Sequence, residues 1–154
     1  MKKIIIVVVG AQGSTIARRM DEYSAVAEII CADYDINAAE KLCSSLQRSR
    51  AVQLDARNVN NVIQTAQGCD LIVNGLPLEY NLIIMEAALA LNASYVDLAG
   101  PMEKIGFVES YREIFTQWHE KFKDKGLTAL VGCGSSPGLA NIIARESVDK
   151  LDSC

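Results

Sequence analysis

Lys2-Lys3-Ile4-Ile5-Ile6-Val7-Val8-Val9-Gly10-Ala11-Gln12-Gly13-Ser14-Thr15-Ile16-Ala17 decides how this chain folds. The β-branched apolar run Ile4 to Val9 is short and closed by glycine, the pattern of a strand buried on both faces. After the glycines, Ile16, Ala17 and Met20 recur at helical spacing. A buried strand, a glycine turn and a helix N-terminus together make a place to hold a phosphate. Unpaired backbone N–H groups and the positive end of the helix dipole converge there. The stretch reads as the first βα unit of a dinucleotide-binding domain.

The glycine fingerprint G-x-G-x-x-G falls on Val8-Val9-Gly10-Ala11-Gln12-Gly13. Gly10 then lets the backbone approach a pyrophosphate, and Gly13 lets helix and strand pack closely. The first glycine of the pattern, which eases the tight turn, is replaced by Val8. The other register, with Gly10 as first glycine, puts Gln12 and Thr15 at the second and third positions and fits less well. Lys2-Lys3 before an apolar run imitates a signal peptide. The run is too short for one, however, and no small-residue cleavage site follows it. Nothing approaches the length of a membrane span.

At 154 residues, with 50% hydrophobic and 22% charged side chains, the chain is expected to form one globular domain over residues 1–154. A net charge of −4 speaks against nucleic acid as a partner. The five cysteines, Cys31, Cys43, Cys69, Cys133 and Cys154, show no C-x-x-C spacing, and His119 is the only histidine. No metal site can be assembled from them. Reduced, buried cysteines in a cytoplasmic protein are the expectation.

Further along, Glu28 to Asp33 reads as a second strand ending in an acid. Asp33 lies about 20 residues past Gly13, where a carboxylate that accepts from both adenosine ribose hydroxyls belongs. Tyr34 follows it rather than an arginine that would hold a 2′-phosphate, so NAD is favoured over NADP. Asn37 with Glu40 reads as a helix cap leading into Ala38 to Leu46. Ala51 to Leu54 is a third strand closed by Asp55, which either meets the adenine amino group or caps the helix Val59 to Ala66.

Asp70 to Asn74 is a fourth strand, and Gly75-Leu76-Pro77 follows it. In the order 3-2-1-4-5-6, strands one and four meet at the topological switch point where ligands bind. Asn74, Gly75, Leu76 and Pro77 are therefore site candidates by position. A helix over Asn81 to Leu91, a strand over Ser94 to Leu98, a long helix over Glu109 to Lys125 and a strand over Thr128 to Val131 complete the alternation. Trp118 and His119 on the long helix read as packing and surface. Ser136 is expected to cap a last helix, with Pro137 at its first position. The fold class is α/β: a Rossmann-type, doubly wound parallel sheet in a single domain.

Three motifs, Asp70-Leu-Ile-Val-Asn-Gly-Leu-Pro, Tyr95-Val-Asp-Leu-Ala-Gly and Gly132-Cys-Gly-Ser-Ser-Pro-Gly-Leu-Ala-Asn, resemble the saccharopine dehydrogenase family. They also look like its lysine 6-dehydrogenase branch. The resemblance covers the chain from the first strand to the helix after Pro137. It implies an NAD(P)-dependent oxidoreductase acting at the C–N bond of an amino acid such as saccharopine or lysine. By the same resemblance, Gly10, Ala11, Gln12, Gly13 and Ser14 would hold the pyrophosphate, and Asp33 the ribose. Asn74 to Pro77 would meet the nicotinamide half, with the Ser135-Ser136-Pro137-Gly138 turn beside the substrate.

The resemblance also shows departures. Val8 stands in place of the family's first glycine, and the family continues into a substrate domain that this chain does not contain. The amino-acid substrate is thus expected to be met through that missing domain, and the chain to form a homo-oligomer. No catalytic acid or base can be assigned; Asp97 and Cys133 lie in the right layer but read as structural. A free-standing NAD-binding or interaction module without catalysis is the alternative, followed by a scaffold that no longer holds cofactor.

Overall fold

The computed structural model describes residues 1–100 and 107–151. Strand β1 (Lys2–Val7) enters the centre of the molecule and is followed by helix α1 (Ala11–Asp21), strand β2 (Val26–Asp33) and helix α2 (Ile36–Cys43). Strand β3 (Ser49–Gln53), helix α3 (Val59–Thr65) and strand β4 (Leu71–Asn74) come next. A 3₁₀ turn at Leu78–Tyr80 leads into helix α4 (Asn81–Leu91) and strand β5 (Ser94–Asp97). Beyond the undescribed 101–106, α5 (Phe107–Glu113) continues through a π-helical stretch, Ile114–Trp118, into α6 (His119–Asp124). Strand β6 (Ala129–Leu130) and helix α7 (Leu139–Val148) close the described chain.

All the strand pairs are parallel, and the sheet is ordered β3-β2-β1-β4-β5-β6. This is the doubly wound sheet expected from the alternation of buried strands and helices. The period of two in β1 supplies both faces. Ile5 and Val7 pack with Val62, Ile84, Met85 and Ala88 of α3 and α4. Ile4 and Ile6 pack with Ala17 of α1 and Ala39 and Leu42 of α2 on the other side. β1 is therefore apolar on every residue after Lys3, because each face meets a helix layer. Among the described residues, no helix is long and apolar enough to cross a membrane.

Several boundaries differ from the sequence reading. β1 stops at Val7, because Val8 turns out of the sheet with φ 71°. α1 begins at Ala11 rather than Ser14, so Gly13 lies inside the helix. The cap of α2 is Asp35, whose carboxylate accepts from Asn37 N–H at 3.0 Å, and not Asn37 itself. Asn58 caps α3 by accepting from Asn60 N–H at 2.9 Å, which removes that role from Asp55. The expected cap at Ser136 is also corrected. α7 starts at Leu139 behind Gly138 (φ 120°), whose N–H donates to Asn141 Oδ1 at 3.1 Å. A Cβ on Gly138 would collide with the Gly134 carbonyl, so the turn before α7 is closed by backbone contact rather than by a serine cap.

Cys31, Cys43, Cys69 and Cys133 are free thiols. Cys31 and Cys69 are buried as expected, while Cys133 is exposed and Cys154 lies outside the described residues. Trp118 is half-buried against the core and His119 is at the surface, in line with their reading from sequence.

Candidate cofactor site

The carboxyl ends of β1 and β4 carry the site, and the glycine loop shows its register directly. Val8, at the position of the first fingerprint glycine, has the left-handed backbone (φ 71°) that such a glycine supplies. A Cβ added to Gly10 would meet only Val8 Cγ1, at 3.9 Å, so its outer side is open to an approaching group. A Cβ on Gly13 would collide with the Val8 carbonyl oxygen, which is why helix and strand can close here only on glycine. Val8, Gly10 and Gly13 thus occupy the three fingerprint positions; the register with Gly10 first does not fit this backbone. α1 has Gly10 as its N-cap and no side chain capping it. The N–H groups of its first turn, Ala11 to Gly13, have no intrahelical acceptors and can serve a phosphate, with Ser14 alongside. Ser14 itself donates its hydroxyl to the Ala11 carbonyl at 3.1 Å. These residues fit a dinucleotide pyrophosphate.

Asp33 ends β2 beside this loop. Its Oδ2 accepts from Val9 N–H at 2.9 Å and its Oδ1 from Asp35 N–H at 3.0 Å. The carboxylate therefore ties the end of β2 to the glycine loop, and each oxygen keeps a lone pair for a further donor. It is half-buried rather than freely exposed.

An open cavity of about 430 Å³ lies beside Val7 and Val8, along Asp33 and Tyr34, between Leu54 to Arg57 on one side and Leu76, Pro77 and Tyr80 on the other; Gly10 to Ser14 are not in its wall. Asp55, Leu76 and Pro77 line it, as does Val8. Asp55 accepts from Arg57 Nε at 2.8 Å and Nη2 at 2.6 Å, and that guanidinium holds its carboxyl down at about 2. The Arg57 guanidinium also sits 5.7 Å from the centre of the Tyr34 ring. Arg57 and Tyr80 escaped the sequence reading. They come from segments remote from the glycine loop, and only the offset of Arg57 from Asp55 hinted at a pair.

On the other side of the switch point, Gly75 packs against β1. Its N–H donates to the Val7 carbonyl at 2.9 Å, and a Cβ there would lie 3.1 Å from that same oxygen. The Asn74 side chain is buried under the loop instead of facing the crevice. It donates to Asn81 Oδ1 at 2.7 Å and to the Tyr95 hydroxyl at 3.1 Å, and accepts from Leu76 N–H at 3.1 Å. Asp97 Oδ2 accepts from the Tyr95 hydroxyl at 2.9 Å and from Asn81 Nδ2 at 3.1 Å. Its Oδ1 accepts from Gly100 N–H and Gly132 N–H, both at 2.7 Å. Asp97 thus ties the start of α4, strand β5 and the segments after β5 and β6 together. Burial, aided by the Asp97 charge, pushes the Tyr95 hydroxyl up, and partial desolvation with the same charge raises the thiol of the exposed Cys133, so neither is poised to ionise.

The comparisons with known proteins bear on this loop and sheet. Residues 4–130 match the family model described as the saccharopine dehydrogenase NADP binding domain. The chain belongs to that family. This saccharopine dehydrogenase-type domain is 30% identical over 151 residues to a carboxyaminopropylagmatine dehydrogenase from Synechocystis sp., a match covering 92% of this chain and 36% of that protein. It is 27% identical to a carboxynorspermidine synthase from Vibrio alginolyticus, over 92% of this chain and 38% of the relative. The chain therefore spans little more than a third of the length of these curated relatives.

Among solved structures, the apo saccharopine dehydrogenase (L-Glu forming) of Saccharomyces cerevisiae superposes with a TM-score of 0.78 at 14% identity. That match covers 97% of this chain and 31% of the yeast chain. GenD2 from gentamicin A biosynthesis, solved in complex with NAD, gives 0.65 at 13% identity, over 85% of this chain and 34% of that one. At these identities the structures speak for the fold alone. With the family match, the chain is an NAD(P)-binding domain of the saccharopine dehydrogenase-like oxidoreductases.

Proposed function

We propose that this domain holds NAD, in preference to NADP, for an oxidoreductase that acts on the C–N bond of an amino acid of the saccharopine or lysine class. One observation carries the reading: Val8, at the first position of the Val8-x-Gly10-x-x-Gly13 loop, lines a cavity whose wall includes Asp33. Gly10 to Ser14 cradle the pyrophosphate with first-turn N–H groups. Asp33 accepts from the adenosine ribose hydroxyls and repels a 2′-phosphate, while Asp55 lines the adenosine half of the cavity near it. Gly75, Leu76 and Pro77 shape the nicotinamide side, and Asn74 acts on it through its bond to Leu76 N–H. The cofactor, when bound, supplies a hydride acceptor or donor.

That the Synechocystis relative is a dehydrogenase supports redox chemistry, and the amino-acid assignment rests on the motif resemblance. The groups that recognise substrate belong to a part of the protein outside these 154 residues, in keeping with the fraction of the relatives that the chain spans. The four free thiols among the described residues suit a reducing compartment such as the cytoplasm.

Calorimetric titration with NADH and NADPH tests the cofactor half of the reading. Tighter binding of NADPH would overturn the preference. NADH formation from lysine or saccharopine tests the other half. We expect none from this chain alone and turnover from a longer product of the same gene; a longer product active only on other substrates would reject the amino-acid assignment.

A further inference from the structure

The cavity beside Asp33 carries a charge arrangement that the glycine loop does not explain. Among the described residues lining it, Arg57 is the single basic one. It is therefore the group there that can receive a phosphate, and it is already engaged. Asp55 Oδ1 accepts from Arg57 Nε at 2.8 Å and from Arg57 N–H at 3.1 Å, and Asp55 Oδ2 accepts from Nη2 at 2.6 Å. This is a two-pronged pair in which both carboxylate oxygens face one guanidinium. The guanidinium also lies over the ring of Tyr34, the residue directly after Asp33, so the pair sits at the ribose end of the cavity.

We propose that Asp55 is a specificity-determining residue: by holding Arg57 in this pair it masks the cation that would otherwise receive a 2′-phosphate. The inference rests on the dinucleotide reading above and deepens it. With Arg57 neutralised by Asp55, the net charge facing a 2′-phosphate is that of Asp33, and it is repulsive. Without the Asp55 charge, the Arg57 fork is free and the local balance shifts by one unit toward attraction. The pair is exposed, with side-chain accessibilities of 66% for Arg57 and 36% for Asp55. Exposed pairs contribute little to folding, so releasing Arg57 leaves the fold intact.

The test measures dissociation constants for NADPH and NADH by fluorescence on the wild-type chain, Asp55→Asn, Arg57→Ala and the double variant, with thermal melts confirming that each is folded. Asp55→Asn is expected to raise the NADPH-to-NADH affinity ratio about tenfold. The gain should vanish in the double variant, because it needs the freed guanidinium. An unchanged ratio of the two affinities in Asp55→Asn overturns the proposal, as does a gain that survives loss of Arg57. If neither cofactor binds the folded wild type or any variant, the dinucleotide reading fails and this inference with it. NADH binding with no shift in preference rejects the masking role alone.

Discussion

Val8 holds the main conflict between sequence and backbone in the site. A β-branched residue at φ 71° costs about 1–3 kcal/mol of strain. Val8→Gly relieves it but gives up a half-buried side chain worth about 1 kcal/mol and adds unfolded-state entropy worth about 0.5–1 kcal/mol. These nearly cancel, so the melting temperature should move by less than about 5 °C. Val8 also lines the cavity, and its loss should tighten NADH binding several-fold by calorimetry; an unchanged affinity would mean that the valine costs the site nothing. That Val8 fills a glycine position was legible in the sequence, since the spacing of Gly10 and Gly13 pointed to it. The pairing of Asp55 with Arg57 was not, because a carboxylate at a strand end serves adenine, a helix cap or an arginine equally well until the backbone places them. Cys31 offers a pH test at the same scale. Burial, and then neighbouring Cys43, pushes its thiol from an ordinary 9.0 up to about 12. Its stabilising share is present below pH 9 and lost as pH rises toward 12. The gap in melting temperature between wild type and Cys31→Ala should therefore narrow between about pH 8 and about pH 10.5; a constant gap would contradict the assignment.

Among the elements, β4, β5 and β6 show what pattern reading reaches and where it stops. Short apolar runs predicted all three strands, yet β6 is only Ala129–Leu130. Among the described residues it pairs with β5 alone, at the sheet edge. β2 is longer than expected, Val26–Asp33, because β1 and β3 flank it on both sides. The long helix expected over Glu109 to Lys125 is present as a continuous helical run from Phe107 to Asp124, but it widens to π-helix at Ile114–Trp118, which hydropathy spacing does not signal. The polar network of Asn74, Asn81, Tyr95 and Asp97 was equally hidden, since its members come from separate elements and meet only after the sheet forms. Tyr95→Phe would leave buried Asn74 Nδ2 and Asp97 Oδ2 each short of a partner, at a cost of about 1–3 kcal/mol. Urea denaturation should show this as a lower midpoint with an unchanged slope; an unchanged midpoint would mean that the network adds nothing to stability.

For the whole molecule, the strand order was readable because two-face-buried strands, short connections and right-handed crossovers leave few alternatives. The cavity was not, because its walls are drawn from four stretches around Val8, Tyr34, Asp55 and Pro77. α7 is the other whole-molecule feature: none of its residues is buried, and Leu139, Ile142 and Ile143 recur on it at helical spacing with 55%, 67% and 54% exposure. We expect the chain to self-associate through this helix, with sedimentation showing oligomers at micromolar concentration that Ile142→Glu converts to monomer; a monomeric wild type would reject this. The central claim, that the loop from Val8 to Ser14 and the adjoining cavity bind a dinucleotide, is tested most directly by amide NMR of the 154-residue chain titrated with NADH. The account predicts saturable shifts concentrated at Gly10 to Ser14, Asp33 and Asp55. Absence of shifts, or shifts gathered instead at the separate apolar pocket of about 250 Å³ beside Trp118 and Phe122, would contradict it.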